Sequence, residues 1–194
     1  MEPRRVQAMG LVAGPVLFAL SPLFWVDGHY GSVGGMLIAV STVPWMFGLI
    51  GEYQRLRRPL PTASWLWLLL VLIGMFGTIA FGLQGFFEDV LGSTDSSALG
   101  TFKDYPVAGA AVLLIAGPMF PTALIILGIF YWRTRSAPRW TAALLCIAAA
   151  AFPLARVVRV DAVAVGADLL MLSAFVGVAW HVWQRTQETR SPAA

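Results

Sequence analysis

The stretch SWLWLLLVLIGMFGTIAFGLQGFF, Ser64–Phe87, carries no charged side chain and is apolar on every face of a helix. A hydrocarbon core about 30 Å thick is crossed by roughly 20 helical residues, so this segment is long enough to span one. A soluble helix would present a polar stripe, and a transmembrane β-strand would alternate in polarity along a much shorter run. Inside lipid every backbone N–H must be satisfied internally, which leaves the α-helix.

Working outward, the same character recurs in Ala8–Val26, Val33–Tyr53, Val107–Trp132, Trp140–Arg156 and Asp161–Trp183. The composition agrees: 58 % of residues are apolar and the mean hydropathy is +0.75, where soluble domains run near 45–50 % apolar. The fold class expected is therefore all-α: a polytopic membrane protein whose six transmembrane helices form one bundle and one domain over residues 1–194. Residues 88–106 form the one long connection, expected outside, and residues 186–194 form a polar, flexible cytoplasmic tail.

The basic residues orient the bundle. Of thirteen Lys and Arg, all but Lys103, Arg156 and Arg159 fall on the side of the N-terminus: Arg4, Arg5, Arg55, Arg57, Arg58, Arg133, Arg135, Arg139, Arg185 and Arg190. That asymmetry places both termini in the cytoplasm. The sequence pI near 9.5 is then a topology signature, and no nucleic-acid partner is implied. No small-x-small cleavage site follows the first span, so it reads as an uncleaved anchor. Trp25, Trp65, Trp67, Trp132, Trp140, Trp180 and Trp183 lie near span ends, where an interfacial aromatic belt would put them.

Small residues mark packing seams. Gly10 and Gly14, Gly31 and Gly35, and the series Gly74, Thr78 and Gly82 recur at four-residue spacing. Span four concentrates helix-bending prolines in Gly117-Pro118-Met119-Phe120-Pro121. The run from Gly117-Pro118 through Leu127-Gly128 to Ala137-Pro138-Arg139-Trp140 resembles a segment of small polytopic bacterial membrane proteins classed as domains of unknown function. The resemblance implies a helical inner-membrane protein and carries no functional residues across.

Several chemistries are excluded. His29 and His181 stand at opposite ends of the bundle and cannot share a haem or a zinc ion. Lys103 is the only lysine and lies in a loop, which removes a mid-membrane Schiff base. Cys146 is the only cysteine, so no internal disulfide forms. No phosphate loop, dinucleotide fingerprint or nucleophile elbow is present. No cofactor and no metal are expected.

What remains is a set of polar groups in the outer half, where ionisable side chains cost about 2.5–3.5 kcal/mol at mid-membrane and mark function or pairing. Candidate ligand-binding residues are Asp27, His29 and Tyr30 after span one, Gln84 and Glu88 at i,i+4 on span three, Arg156 and Arg159 after span five, and Asp161 and Asp168 on span six. Asp168 lies seven residues beyond Asp161 on the same face, hence about 10 Å into the membrane at 1.5 Å per residue. Asp168 and Glu88 are the candidates for a catalytic carboxyl. Arg156 and Arg159 defy the charge bias, and an acidic partner would explain them. Two readings follow: Asp168 clamps Arg156 and pins helices together, or it floors a cavity as a free carboxyl with a raised pKa.

Three functions fit this set. The first is a binding protein that accommodates a lipid-like molecule or a partner helix, with membrane lipids as its surroundings. The second is an enzyme on a lipid or isoprenoid substrate, with Asp168 or Glu88 as general acid. The third is a small proton-coupled transporter, which needs a homodimer to supply enough helices.

Overall fold

The computed structural model describes residues 3–25, 29–92, 105–158 and 160–188, and every regular element among them is helical. Helix α1 is Pro3–Leu20, continued by a 3₁₀ turn at Ser21–Phe24; α2 is Gly31–Leu56 and α3 is Pro61–Val90. Helix α4 is Gly117–Thr134, α5 is Arg139–Val158 and α6 is Asp161–Glu188. Five stretches are long and apolar enough to cross a membrane: Pro3–Phe24, Gly31–Leu56, Pro61–Val90, Arg139–Arg156 and Ala162–Arg185. Most of the long connection, residues 93–104, and most of the tail, residues 189–194, lie outside the described residues. The tail also begins later than expected, because α6 continues through Glu188.

The fourth expected span differs from a regular helix. A short α-helical turn, Pro106–Gly109, leads into a π-helical segment, Ala110–Ala116, before α4 begins. Pro118 has no N–H to offer and its ring crowds the preceding turn. The ladder widens upstream of it, and Gly117 donates its N–H to the Val112 carbonyl, five residues back. Proline also shapes the end of α1, where Pro22 enters the first turn of the 3₁₀ segment, and the start of α3, where Pro61 sits at a position whose N–H is an orphan anyway. Arg135, in the left-handed region at φ 53°, ends α4. The N-terminus of α2 is closed from outside its own chain segment: Ser32 donates its backbone N–H to the Asp89 carboxylate of α3 at 2.7 Å, a negative group at the positive end of a helix.

Each helix packs against its neighbours in sequence, and α1 also packs against α6. The six helices therefore close into a ring, and sequence neighbours run antiparallel: along α3, Gly74 lies against Phe120 and Gly77 against Ala116. Glycines let the neighbours approach. On α1, Gly10 meets Pro44 and Gly14 meets Trp45 of α2, while Gly48 of α2 meets Leu11. The expected single seam of Gly74, Thr78 and Gly82 is corrected. Gly74 abuts Met119 and Phe120 beside α3 on one flank, and Gly82 abuts Gly35 and Ala39 of α2 on the other. At about 3.6 residues per turn, eight residues rotate a helix face by roughly 80° beyond two full turns, which is enough to serve two neighbours in a ring. The Thr78 hydroxyl donates to the Gly74 carbonyl at 2.9 Å, so it is satisfied within its own helix.

Large rings fill the middle. Trp45 of α2, fully buried, meets Phe18 of α1 at 5.7 Å, Phe120 of α4 at 4.9 Å and Phe175 of α6 at 5.2 Å, all edge to face. Phe152 of α5 joins them through Phe18 and Phe120. Edge-to-face pairs contribute about 0.5–1.5 kcal/mol each beyond burial. Two tryptophans expected in the belt belong instead to this interior. Trp67 is buried and donates its indole N–H to the Ala123 carbonyl at 2.8 Å, and Trp25 is buried among Ala155, Ala164 and Ala167 at the end of the ring where α1 finishes. Trp65, Trp132, Trp140, Trp180 and Trp183 are exposed on the bundle surface.

Candidate functional site

Arg156 stands in the last turn of α5 and Asp168 two turns into α6. The packing of α5 on α6 joins them: Nη2 of Arg156 donates to both oxygens of the Asp168 carboxylate, each at 2.9 Å. The pair is inside the protein, with the carboxylate side chain 1 % exposed and the arginine side chain 12 % exposed. Removing one partner of a buried pair leaves a bare charge and costs about 3–5 kcal/mol.

Three rings surround the guanidinium. Its central carbon lies 4.8 Å from the Phe18 centroid, 5.2 Å from Trp25 and 5.1 Å from Phe152. Phe152 is one helical turn before Arg156, Phe18 lies in the last turn of α1, and Trp25 follows the 3₁₀ turn beyond it. Tyr30 stands edge-on to Trp25 at 5.1 Å and reaches across to Gly85 of α3. Such faces stabilise a desolvated cation by up to about 2 kcal/mol.

Hydrogen bonding at the cation is incomplete. A guanidinium offers five N–H groups, and only Nη2 is engaged with Asp168. The Nε and Nη1 atoms of Arg156 are buried without a hydrogen-bond partner among the described residues. The Ser21 hydroxyl and the Trp25 indole N–H, on the turn that delivers Trp25 to the cation, are also buried without one. A buried donor left unpaired costs about 1–3 kcal/mol. The end of the ring where α1 and α5 finish thus collects unpartnered donors and aromatic rings around one ion pair among the described residues.

The remaining sequence-derived candidates are distributed differently. Gln84 donates to Glu88 at 2.8 Å on α3. That helix neighbours α2 and α4 in the ring, so the Gln84–Glu88 stripe is not part of the Arg156 cluster. His29 is exposed. Asp161 begins α6, while Asp27 and Arg159 lie outside the described residues.

A second buried charged group closes the opposite end of the ring. Glu52 of α2, 2 % exposed, accepts from Arg55 at 2.8 Å through one oxygen and from the Tyr131 hydroxyl at 2.8 Å through the other. Arg55 also donates to the Ser136 carbonyl at 2.8 Å, tying α2 to the α4–α5 turn. The i,i+3 spacing of Glu52 and Arg55 is visible in the sequence. The ring around Arg156 also leaves a signal there, since Phe152 precedes it by four residues.

The fold defines a class: a helical bundle with several helices long and apolar enough to cross a membrane. Comparison of the chain with protein-family models, with curated proteins and with solved structures gives no match.

Proposed function

We propose that the chain is an integral membrane protein with six spans and both termini in the cytoplasm, and that its Arg156 site holds the polar end of a lipid-like molecule. The arginine bias supports the orientation. The stretch from Pro106 to Thr134, broken by its π-helical segment, supplies the sixth crossing. A bacterial inner membrane is the location that the sequence resemblance implies.

One observation carries the binding reading. Arg156 is buried with Nε and Nη1 unpartnered, and the Trp25 ring, whose own indole N–H is unpartnered, lies 5.2 Å from its central carbon. Donors placed together in an apolar, ring-lined setting suit a guest with acceptors at one end and hydrocarbon at the other. A partner helix suits them less, because its backbone carbonyls are already spent on its own ladder. The general-acid and proton-carrier readings call for an available carboxyl, and both Asp168 oxygens accept from Arg156.

Native mass spectrometry of gently purified protein tests this reading. Wild type should retain a lipid adduct, and Arg156→Lys, which keeps the charge facing Asp168 but removes Nε and Nη1, should lose it. A wild type without any adduct in several mild detergents would remove the site, as would an Arg156→Lys variant that retains its adduct unchanged.

A further inference from the structure

Charge bookkeeping at this site narrows what can occupy it. Resting on the binding reading above, we infer that the guest presents an uncharged carbonyl oxygen to Arg156, as in an ester or quinone headgroup, and not an anionic phosphate or carboxylate. Arg156 already has its counter-charge: Nη2 lies 2.9 Å from both Asp168 oxygens. The pair is neutral as a unit and buried. An anion entering beside it would bring a net negative charge into a low-dielectric interior that holds no second cation among the described contacts of Arg156, and would face the Asp168 carboxylate. Burial of an uncompensated charge is far costlier than burial of a neutral dipole. The unmet demand is for hydrogen-bond acceptance alone.

A carbonyl oxygen meets that demand. It has two lone pairs, enough to accept from Nε or Nη1 of Arg156, which open on different edges of the guanidinium, and from the Trp25 indole N–H as well. The rings of Phe18, Trp25 and Phe152 exclude water from those bonds and offer a surface to the apolar part of the guest. Water would satisfy the same donors, but it gains nothing from three aromatic faces.

The test adds defined probes to delipidated, detergent-solubilised protein and reads occupancy by native mass spectrometry. Dioleoylglycerol supplies an ester carbonyl, decylbenzoquinone a quinone carbonyl, dioleyl glycerol diether the same bulk without a carbonyl, and hexadecyl phosphate an anion without a carbonyl. At least one carbonyl probe should bind ten-fold or more tightly than both the diether and the alkyl phosphate. Arg156→Lys and Trp25→Phe, which preserve charge and ring respectively, should each weaken it by five-fold or more. Which carbonyl probe binds distinguishes the ester from the quinone source. Preference for hexadecyl phosphate, lost in Arg156→Lys, would overturn the carbonyl inference while keeping the binding site. Equal binding of the diether would overturn it too. Failure of all four probes, together with an adduct-free wild type, would sink both readings.

Discussion

Asp168→Asn discriminates most sharply among the roles open to the buried pair. Asparagine is nearly isosteric with aspartate, so packing on α6 is preserved and the change acts on charge and hydrogen bonding. One of the two 2.9 Å bonds from Arg156 Nη2 can survive to the amide oxygen. The other meets an NH₂ group, donor against donor. A severed buried pair costs about 3–5 kcal/mol, and the three rings that face the guanidinium cushion the stranded charge. The expected loss is therefore at the low end, about 3 kcal/mol. For a chain of this length each kcal/mol moves Tm by about 2–4 °C, so thermal unfolding in detergent should shift down by about 6–12 °C. Replacing the stranded cation in the same background, Asp168→Asn with Arg156→Met, places a flexible apolar side chain among Phe18, Trp25 and Phe152, contacts that sulfur favours. The double variant should recover at least about 1 kcal/mol over the single one, as coupled neighbours do. A single variant that unfolds within about 1 °C of wild type, or a double variant no better than the single, would refute the clamp.

Three further outcomes are expected. Gly82→Leu drives a side chain into the Gly35 carbonyl and the Ala39 N–H of α2 and should lower Tm sharply, while Leu69→Ala, on a residue 54 % exposed, should leave it nearly unchanged; thermal shift in detergent ranks the two. Tyr131→Phe strips the fully buried Glu52 of one of its two donors and should cost about 1–3 kcal/mol, and a neutral result in denaturant or thermal unfolding would show that water replaces the hydroxyl. In a Cys146→Ala background, cysteines placed at Ser96 and at Arg58 should react with an impermeant maleimide from opposite sides of the membrane, Ser96 from outside, and labelling from one side would break the six-span threading.

How much of this was legible in the sequence follows from which forces leave a linear trace. Helix class and membrane length are written in runs such as Ser64–Phe87, because transfer of apolar surface depends on composition more than on order. The pairing of Arg156 with Asp168 was one of two readings, since a charge that breaks the positive-inside bias needs a counter-charge and Asp168 was the deepest carboxyl. The rings around the guanidinium were not read out, because Phe18 and Trp25 lie more than a hundred residues from Arg156 and meet it only once α1 closes on α6. Trp67 was misplaced for a related reason: a tryptophan near a span end looks the same in sequence whether it faces lipid or the Ala123 carbonyl. The division of Gly74 and Gly82 between two neighbours required a ring, and four-residue spacing alone cannot distinguish one partner from two.

Ring closure also sets an order for biogenesis. Phe18 and Trp25 leave the ribosome with the first helix, Arg156 with the fifth, and Asp168 only with the sixth, so the ion pair cannot exist until the last span is made. A nascent chain halted before α6 would present Arg156 to the bilayer with no counter-charge, at about 2.5–3.5 kcal/mol on insertion scales, and would leave the aromatic flank of α1 uncovered. A truncated or stalled product would thus carry an unpaired arginine, and the arrival of Asp168 is the event that neutralises it.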